Sequence, residues 1–363
     1  MSRRRTAVAS AAAAVLALTV GTTGAAGAPA PKRAKHLSIV ATGDLLIHSP
    51  IYQRAHALGG GRRYDFAPML RLVRPYVSAA DLALCHLETP MAPGAPSGYP
   101  AFNTPGGLAR AIRETGWDAC STASNHSVDR GQRGVTATGR KLDAQGIEHT
   151  GSFPSAAAQR TPLIKTVKGV RVAFLSYTEM TNGIPLPNPW SVNVAKAARI
   201  IAEAKRARRA GAQVVIVNIH WGAEYRTEPS PFQKRLANAL TRSSAITGVV
   251  GQHAHVVQPI RRVNGKLVVF GEGNLISNQS SPAGSQDGLI AQLDVVVDAR
   301  GSRVAGIRYV PTWVRRSDFT VLPIGDALRR GLGDRAALRA SYRRTVIAVG
   351  RQNGVQPVPL RLP

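Results

Sequence analysis

Cysteine, aromatic residues and acidic residues are all scarce in this sequence of 363 residues. Only 2 cysteines occur, and none of them lies in the small-residue segment near the amino terminus, which argues against a bacterial lipid anchor there. Aromatic residues amount to 5%, and no RNA- or DNA-binding signature accompanies them, so nucleic acid is disfavoured as a partner. The sequence also has no internal repeat and no long low-complexity linker.

The shortage of acidic residues leaves the chain strongly basic. Asp and Glu number 20 against 47 Lys and Arg, which gives a formal net charge of +27. Such a charge favours polyanionic partners, among which anionic cell-wall or capsule polymers and acidic lipid surfaces fit better than nucleic acid. Arginine spread over a solvated surface explains the charge equally well, without a specific binding site.

Residues 1–28 have the order of a targeting segment. A basic start at residues 3–5 precedes an apolar run at 7–20 and a small-residue stretch at 22–28. The apolar run is too short and too rich in alanine for a membrane span. We therefore expect a cleaved signal peptide, with a start that also fits a twin-arginine signal, and a mature protein that is secreted or extracytoplasmic.

The two cysteines, Cys85 and Cys120, each lie near the end of an apolar strand candidate. Export would permit a disulfide between them, and neighbouring strands would bring them close enough to form it. Two buried free thiols fit the sequence as well, so both alternatives stay open.

The main pattern of the chain is a short apolar run followed by polar side chains that can bind metals. The runs are 37–41, 81–84, 117–122, 214–217, 248–250 and 267–270. Continuous apolar runs are typical of strands buried on both faces, and ligand sites in layered α/β folds collect at the carboxyl ends of such strands. The polar residues after the runs are Asp44, His86, Glu88, Asn125, His126, His220, Glu224, His253, His255 and Asn274.

His253 and His255 are the most informative of these residues. Imidazole is a common metal ligand, and two of them just past a strand end can point at one small volume. The alternative is one histidine in the core and one on the surface. The recurrence of the pattern after other strands favours metal binding.

Helices and hairpins alternate with these strands. Amphipathic patterns predict helices at 107–115, 134–145, 194–209 and 231–243. The two-residue turns Lys168-Gly169 and Asn264-Gly265 predict hairpins, and a closing hairpin is expected from 289–297 and 304–310. A basic helix and a proline-containing tail follow from residue 326. This mixture favours two facing sheets with helices outside.

In chain order, a set of short motifs resembles the bacterial CapA capsule-synthesis proteins. They are Gly43-Asp44, Leu87-Glu88, Ser124-Asn125-His126-Ser127, His220-Trp221-Gly222-Ala223-Glu224, Gly251-Gln252-His253-Ala254-His255 and Gly271-Glu272-Gly273-Asn274. The resemblance implies a calcineurin-like metallophosphoesterase fold, an α/β fold of four layers, α/β/β/α, with two mixed sheets. The expected organisation is a signal peptide at 1–28, a linker at 29–36, the CapA-like domain at 37–310 and a basic C-terminal extension at 311–363.

The resemblance also implies a site for one or two divalent metal ions, without distinguishing Mn, Fe and Zn. The predicted ligands of one metal are Asp44, Glu88 and His255. Those of the other are Asn125, His220, His253 and the bridging Glu88. Carboxylates can bridge two cations, while imidazoles and an amide oxygen complete the coordination.

His126 would then act beside the metals as a general acid or as a donor to a phosphate oxygen, or else orient a neighbouring ligand. The sequence departs from the superfamily at Leu46, where a histidine is usual, so one metal lacks a ligand. His86 shares a strand face with Glu88 and is a candidate substitute. Further candidates are Glu224, Asn274 and His48.

These features predict an exported CapA-like protein in the synthesis or processing of poly-γ-glutamate capsule. The expected chemistry is metal-dependent hydrolysis or transfer at a phosphoryl or γ-glutamyl centre. Expected partners are an anionic polymer such as poly-γ-glutamate and membrane-bound capsule synthesis proteins. The alternatives are a non-enzymatic accessory that binds the polymer, which Leu46 favours, and a general metal-dependent phosphodiesterase.

Overall fold

The computed structural model describes Ala7 and residues 34–358. The predicted signal peptide, 1–28, lies outside the described residues apart from Ala7, and so does most of the predicted linker, 29–36. Residues 34–358 belong to one compact unit. Among residues 34–358, no helix combines the length and the apolar character needed to cross a membrane.

Fifteen strands, counted over residues 34–358, form the centre of the fold. They are β1 (Lys35–Leu45), β2 (Leu82–Leu87), β3 (Ala119–Ser121), β4 (Glu148–Thr150), β5 (Leu163–Val167), β6 (Val170–Thr178), β7 (Val214–His220), β8 (Gly248–Gln252), β9 (Ile260–Val263), β10 (Lys266–Val269), β11 (Asn274–Ile276), β12 (Asp287–Asp298), β13 (Gly301–Arg315), β14 (Thr320–Pro323) and β15 (Val355–Pro357).

Ten α-helices accompany them in the described part of the chain. They are α1 (Ser49–Leu58), α2 (Ala67–Leu70), α3 (Arg74–Ser78), α4 (Gly107–Thr115), α5 (Gly131–Asp143), α6 (Ala156–Arg160), α7 (Ala197–Arg209), α8 (Pro231–Thr241), α9 (Ile324–Arg330) and α10 (Arg335–Val349).

The strands make two mixed sheets. The first has the order β14-β13-β12-β1-β2-β3-β4, with β11 paired to β1 and β15 to β13. The second has the order β5-β6-β7-β8-β10-β9. Strands β1 to β4 run parallel in the first sheet, and β6, β7, β8 and β10 run parallel in the second. Each sheet therefore gathers the carboxyl ends of several strands at one edge.

Alternation along the strands separates three apolar layers. In β2, Leu82 and Leu84 pack between the sheets, while Ala83, Cys85 and Leu87 pack under α1, α2 and α4. On the other side, a separate cluster joins β6 and β7 to α7 and α8. The molecule thus has the four layers α/β/β/α with two mixed sheets, which confirms the predicted fold class.

Most element boundaries are close to those expected from the sequence. Helix α4 covers the predicted residues, and both two-residue turns join paired antiparallel strands. Helix α7 begins later than the predicted residue 194 because Val194 forms a β-bridge with Thr178, and the N–H of Ala195 donates to the Thr178 carbonyl at 2.8 Å. These bonds hold the chain extended up to the start of the helix.

The segment after residue 310 packs on the first sheet. Strand β13 runs through residue 310, where the predicted domain ends, and both β14 and β15 pair with it. Two helices, α9 and α10, occupy the region where one basic helix was expected. Arg344 on α10 donates from Nε to Asp287 Oδ2 at 2.7 Å, and Ser341 donates to Asp287 Oδ1 at 2.6 Å. These bonds fasten α10 to β12.

Cys85 and Cys120 form a disulfide in the structure. They are direct neighbours in the parallel pairing of β2 and β3, with Cα atoms 4.5 Å apart. Of the two alternatives that the sequence left open, the disulfide is the one found.

Candidate metal centre

Polar side chains from both sheets meet in the gap between their carboxyl edges. In β7, Val214 and Ile216 face the first sheet, and alternation places Asn218 and His220 on that same face. In β2 the same rule turns His86 inward, and Glu88 follows just after the strand. The acidic and histidine side chains of the centre are at most 3% exposed: Asp44, His86, Glu88, His220, His253 and His255.

Two glycines make the close backbone approach at this centre possible. The N–H of Asp44 donates to the carbonyl of Gly273 at 3.0 Å, and a Cβ at Gly43 would collide with that carbonyl oxygen. At Gly251, a Cβ would collide with the Phe270 carbonyl and the indole nitrogen of Trp221. The glycines of both motifs are therefore required by packing.

The loop after β8 has an unusual backbone. His253 has φ of 89° and His255 has φ of 54°, in the region that non-glycine residues seldom adopt. Such conformations cost about 1–3 kcal/mol each and occur mainly at functional sites. Their ring centroids lie 5.7 Å apart. The loop thus presents two imidazoles at the strand end at a cost to backbone stability.

The structure brings together the predicted ligands of the first metal. His255 Nδ1 lies 3.1 Å from Asp44 Oδ2, and His255 Nε2 lies 3.8 Å from Glu88 Oε1. One potential ligand atom from each of the three residues falls within 4.8 Å of the others. This spacing suits a shared cation.

The residues predicted for the second metal surround His220. Its Nε2 atom lies 2.9 Å from Asn125 Oδ1 and 3.8 Å from Glu88 Oε1. The His220 and His253 ring centroids are 4.5 Å apart. Glu88 therefore lies next to ligand atoms of both predicted sets, as a bridging carboxylate requires.

His86, a secondary candidate in the sequence, belongs to the same cluster. Its Nε2 atom is 2.9 Å from His220 Nδ1 and 3.7 Å from Asp44 Oδ1. Asp44, His86 and His220 form a further group with ligand atoms within 4.8 Å. Leu46 lies in the apolar core instead, 2% exposed. An imidazole from β2 thus reaches the centre that lacks one at Leu46.

Several buried polar atoms of the centre have no hydrogen-bond partner within the described part of the chain. They include both carboxylate oxygens of Glu88 and Nδ1 of His253. Moving a polar group from water into the protein interior without a hydrogen-bond partner costs on the order of several kcal/mol, and moving an unpaired charge costs more. Carboxylate oxygens and imidazole nitrogens are donor atoms for Zn, Mn and Fe, so the residues fit the implied metal group.

The pKa values favour neutral imidazoles beside buried carboxylates. Burial lowers the pKa of His86 to about 4 and that of His253 to about 3. Burial and the neighbouring imidazoles hold the pKa of His220 well below its usual range. Burial, with the Asp44 charge, raises the pKa of Glu88 well above its usual range. Neutral imidazole is the form that binds a metal.

His255 differs from the other histidines. Burial alone would lower its pKa, but the carboxylates of Glu88 and Asp44 raise the pKa to about 9. The two acids therefore attract a positive charge to this position, either a proton on His255 or a cation. Metal binding would compete with that proton.

A buried hydrogen-bond chain behind the centre was not predicted. Ser121 Oγ lies 3.0 Å from His86 Nδ1 and accepts from Asn218 Nδ2 at 2.9 Å. Asn218 bonds to Gln252, whose Nε2 donates to Glu272 at 2.6 Å. Burial raises the pKa of Glu272 to about 8. This series of hydrogen bonds extends across both sheets and orients His86. In the sequence, Asn218 shares a strand face with His220, and Gln252 and Glu272 lie within two of the motifs, but nothing there indicates that these residues are in contact.

His126 lies beside the centre with a carboxylate behind it. Its Nδ1 atom is 2.8 Å from Asp129 Oδ2, which also accepts from the Phe102 N–H at 2.7 Å. Since Asp129 fixes Nδ1 as the donor, Nε2 is the atom left for substrate chemistry. Asp129 was missed in the sequence, where its only signal is its position three residues after His126.

The three remaining candidates lie around the centre. Asn274 Oδ1 is 3.1 Å from His255 Nδ1 and orients that ring. Glu224 is exposed, with a carboxylate oxygen within 4.8 Å of ligand atoms of His253 and His255. His48 is partly buried, and burial lowers its pKa to about 4.

Comparison with known proteins gives one family and several relatives. A family model described as "Bacterial capsule synthesis protein PGA_cap" matches residues 38–279. The capsule biosynthesis protein CapA of Bacillus anthracis is 28% identical over 228 residues, covering 60% of this chain and 55% of that protein. The PGA biosynthesis protein CapA of Bacillus subtilis is 28% identical over 181 residues, covering 47% and 45%.

A probable polyglutamine synthesis accessory protein of Mycobacterium tuberculosis is 27% identical over 184 residues, covering 46% of this chain and 47% of that protein. The chain thus spans about half the length of the curated relatives it matches.

Solved structures show weaker similarity. A 5'-nucleotidase precursor of Thermus thermophilus aligns with a TM-score of 0.49 and 15% identity, over 85% of this chain and 59% of that one. A calcineurin-like phosphoesterase of Bacillus subtilis aligns with a TM-score of 0.49 and 14% identity, over 85% and 100%. Neither similarity carries a conclusion about activity.

Proposed function

The chain belongs to the PGA_cap family of bacterial capsule synthesis proteins, and from this premise we propose that it acts on an anionic surface polymer by metal-dependent hydrolysis or transfer. The reacting centre would be phosphoryl or γ-glutamyl, and poly-γ-glutamate is the proposed polymer. Membrane-bound capsule synthesis proteins are the proposed protein partners. The relatives from two Bacillus species, named for capsule and PGA biosynthesis, support the choice of pathway.

The observation that carries the metal-dependent chemistry is the environment of Glu88. This carboxylate is 1% exposed, and both of its oxygens are without a hydrogen bond among residues 34–358. His220 and His255 each lie 3.8 Å from its Oε1 atom. A divalent cation would satisfy these oxygens without requiring a buried proton.

The residues that would hold the metals are Asp44, His86, Glu88, Asn125, His220, His253 and His255. The chemistry that divalent cations supply in such a site is Lewis-acid activation of the substrate and of water. His126 would exchange a proton with the reacting group through Nε2, because Nδ1 is bonded to Asp129. Asn274 Oδ1, 3.1 Å from His255 Nδ1, would keep the His255 ring in place.

The decisive experiment measures metal content and turnover in the same preparations. We expect His253→Ala and His255→Ala to lower bound metal. Even the loss of a residue that only hydrogen-bonds to a metal ligand costs roughly 10–100-fold in metal affinity. His126→Ala should keep its metal while cleavage of a phosphodiester or γ-glutamyl substrate falls by about 10²–10⁴-fold. Polymer production would be followed in cells carrying the same variants.

His36→Ala is the matched control. His36 stands near the start of β1, with its side chain 64% exposed, at the end of the strand away from Asp44. It should change neither metal content nor turnover. If the two ligand variants lose metal and all three site variants still support full polymer production, the catalytic proposal is wrong.

A non-enzymatic accessory is the second candidate. It is favoured by Leu46, which supplies no ligand from the position where the superfamily has a histidine, and by the Mycobacterium tuberculosis relative, whose name calls it an accessory protein. In this case the wild-type protein would bind polymer and support its production without cleaving either substrate. The turnover measurement separates the two candidates.

A further inference from the structure

Arg316 lies in the turn between β13 and β14 and is held there by Asn278, which follows β11. Its Nη1 donates to the Asn278 carbonyl at 3.0 Å, and its Nη2 donates to Asn278 Oδ1 at 3.2 Å. The N–H of Asn278 lies 3.3 Å from His48 Nδ1. Both acceptors of the guanidinium are neutral, so these bonds orient the arginine and leave its positive charge uncompensated.

A row of aromatic and imidazole rings leads from Asn278, which holds this arginine, to His126. The His48 and Phe102 rings meet edge to face with centroids 5.3 Å apart, and the Phe102 and His126 rings do so at 4.6 Å. His48 thus stands between Arg316 with Asn278 on one side and Phe102 with His126 on the other. The row thus connects the turn that carries Arg316 to His126.

The neighbouring arginine shows the contrast. Arg315 donates from Nε and Nη2 to the two carboxylate oxygens of Asp318 at 2.9 and 2.7 Å, which braces the turn. Arg316 is exposed, and within residues 34–358 no carboxylate oxygen lies within 4.0 Å of it. Its two bonds use two of the five N–H donors of a guanidinium. One arginine therefore fastens the turn, and the other remains available to an anion.

We propose that Arg316, oriented by Asn278, is an anion-binding subsite that receives a carboxylate of the polymer next to the unit held at the metal centre. The inference rests on the proposed function, because it takes the polymer as the substrate. A γ-linked glutamate polymer carries one free carboxylate on every unit, so a bond held at the centre always has a second carboxylate one unit away. Guanidinium recognises carboxylates with charge-assisted, often bidentate hydrogen bonds.

Arg316 lies outside residues 38–279, the part of the chain that the family model matches. Strand β13 and the turn after it place the residue beside Asn278, one position before Gln279, whose Oε1 accepts from Asn274 Nδ2 at 2.9 Å. Helices α9 and α10 follow. The C-terminal segment thus adds a feature of its own to the centre, namely a selection for substrates with closely spaced negative charges.

The test is a binding measurement with a fluorescently labelled γ-linked glutamate oligomer, followed by anisotropy at fixed ionic strength. Arg316→Gln should bind the oligomer at least about tenfold more weakly than the wild type, as expected for the loss of a hydrogen bond to a charged group. Arg316→Lys keeps the charge but not the planar fork, so an intermediate affinity is expected. Metal content should equal that of the wild type in both variants.

Arg209→Gln is the matched control, since it removes the same charge from an exposed position at the end of α7 that leads into β7, away from the carboxyl edge. Equal weakening by Arg316→Gln and Arg209→Gln would overturn the subsite in favour of general attraction. Unchanged binding by Arg316→Gln would also overturn it, and so would loss of metal, which would make Arg316 a structural brace.

The outcome is independent of catalysis, because binding is read without turnover. A wild-type protein that carries metal and cleaves substrate, with Arg316→Gln binding normally, would reject the subsite and leave the proposed function standing. A wild-type protein without metal or turnover, with oligomer binding that depends on Arg316, would reject the enzymatic proposal and leave the subsite standing.

Discussion

Asp129 is the residue on which the chemistry of His126 depends. Its carboxylate accepts a hydrogen bond from His126 Nδ1 and another from the Phe102 backbone N–H, so it fixes the His126 ring and the Phe102 backbone together. A carboxylate in this position selects the tautomer with its free nitrogen toward the substrate and stabilises the imidazolium. The proton-transfer role of His126 should therefore require Asp129.

We expect Asp129→Asn to lower turnover by about 10²-fold or more, within the range of a lost general acid, while metal content stays near that of the wild type. The double variant His126→Ala/Asp129→Asn should be no slower than His126→Ala, since residues acting as a unit are not additive. Asp143→Asn, at the exposed end of α5, is the control for loss of a charge. Independent, multiplying losses would contradict the pairing.

The residues of the centre differ in how far the sequence could reveal them. Strand alternation relates His86 to Glu88, and both side chains do approach the same cluster. Asp129 follows no strand and sits in a loop before α5, where three-residue spacing has no single structural meaning. Gln252 and Glu272 lie within the quoted motifs, but their contact depends on how β8 meets the segment after β10. Only the folded chain supplies that contact.

At the scale of elements, β2 and β3 are joined by a covalent bond immediately below the centre. Cys85 and Cys120 each precede a residue of the site by one position, namely His86 and Ser121. The hydroxyl of Ser121 lies 3.0 Å from His86 Nδ1. The disulfide therefore joins β2 and β3 next to the point where Ser121 of β3 orients the imidazole of His86 in β2.

The variant Cys85→Ala/Cys120→Ala should lower the free energy of unfolding by about 3–4 kcal/mol, given a sequence separation of 35 residues. Denaturant unfolding of the oxidised wild type, the reduced wild type and the double variant measures it. The reduced wild type and the double variant should both have a lower free energy of unfolding than the oxidised wild type, by similar amounts. An oxidised protein that reacts with a thiol reagent under denaturing conditions would show that the bond is absent.

Local patterns predicted the elements well where local forces decide them. Helix α4 ends at Thr115 because Gly116, with φ of 104°, terminates it in the left-handed conformation. Asn264 and Gly265 adopt φ of 46° and 80°, as a two-residue hairpin turn requires. The start of α7 was displaced by a β-bridge from Val194 to Thr178, a contact with a distant strand that no local pattern contains.

At the scale of the whole molecule, the centre is assembled from both sheets. Parallel pairing predicts that strand ends within one sheet lie together. It does not predict which ends of the two sheets face each other, because that depends on the apolar layer between them. Here this layer brings β2 opposite β7, so that His86 and His220 come within 2.9 Å. The sequence thus predicts the ligands individually, and packing of the sheets groups them.

The location of the protein is a property of the whole chain that two independent features support. The order of basic, apolar and small residues in 1–28 predicts export and cleavage. A disulfide between the only two cysteines persists most readily in an oxidising compartment, outside the cytoplasm.

We expect the protein recovered outside the cytoplasm to begin near residue 27 or 29 and to contain the disulfide. Amino-terminal sequencing of that fraction checks the cleavage, and intact Met1 on an extracellular product would contradict it. Replacing residues 3–5 by neutral ones should hold the uncleaved chain in the cytoplasm. There, reducing conditions would keep Cys85 and Cys120 as thiols, so that export and the bond beneath the centre would be lost together.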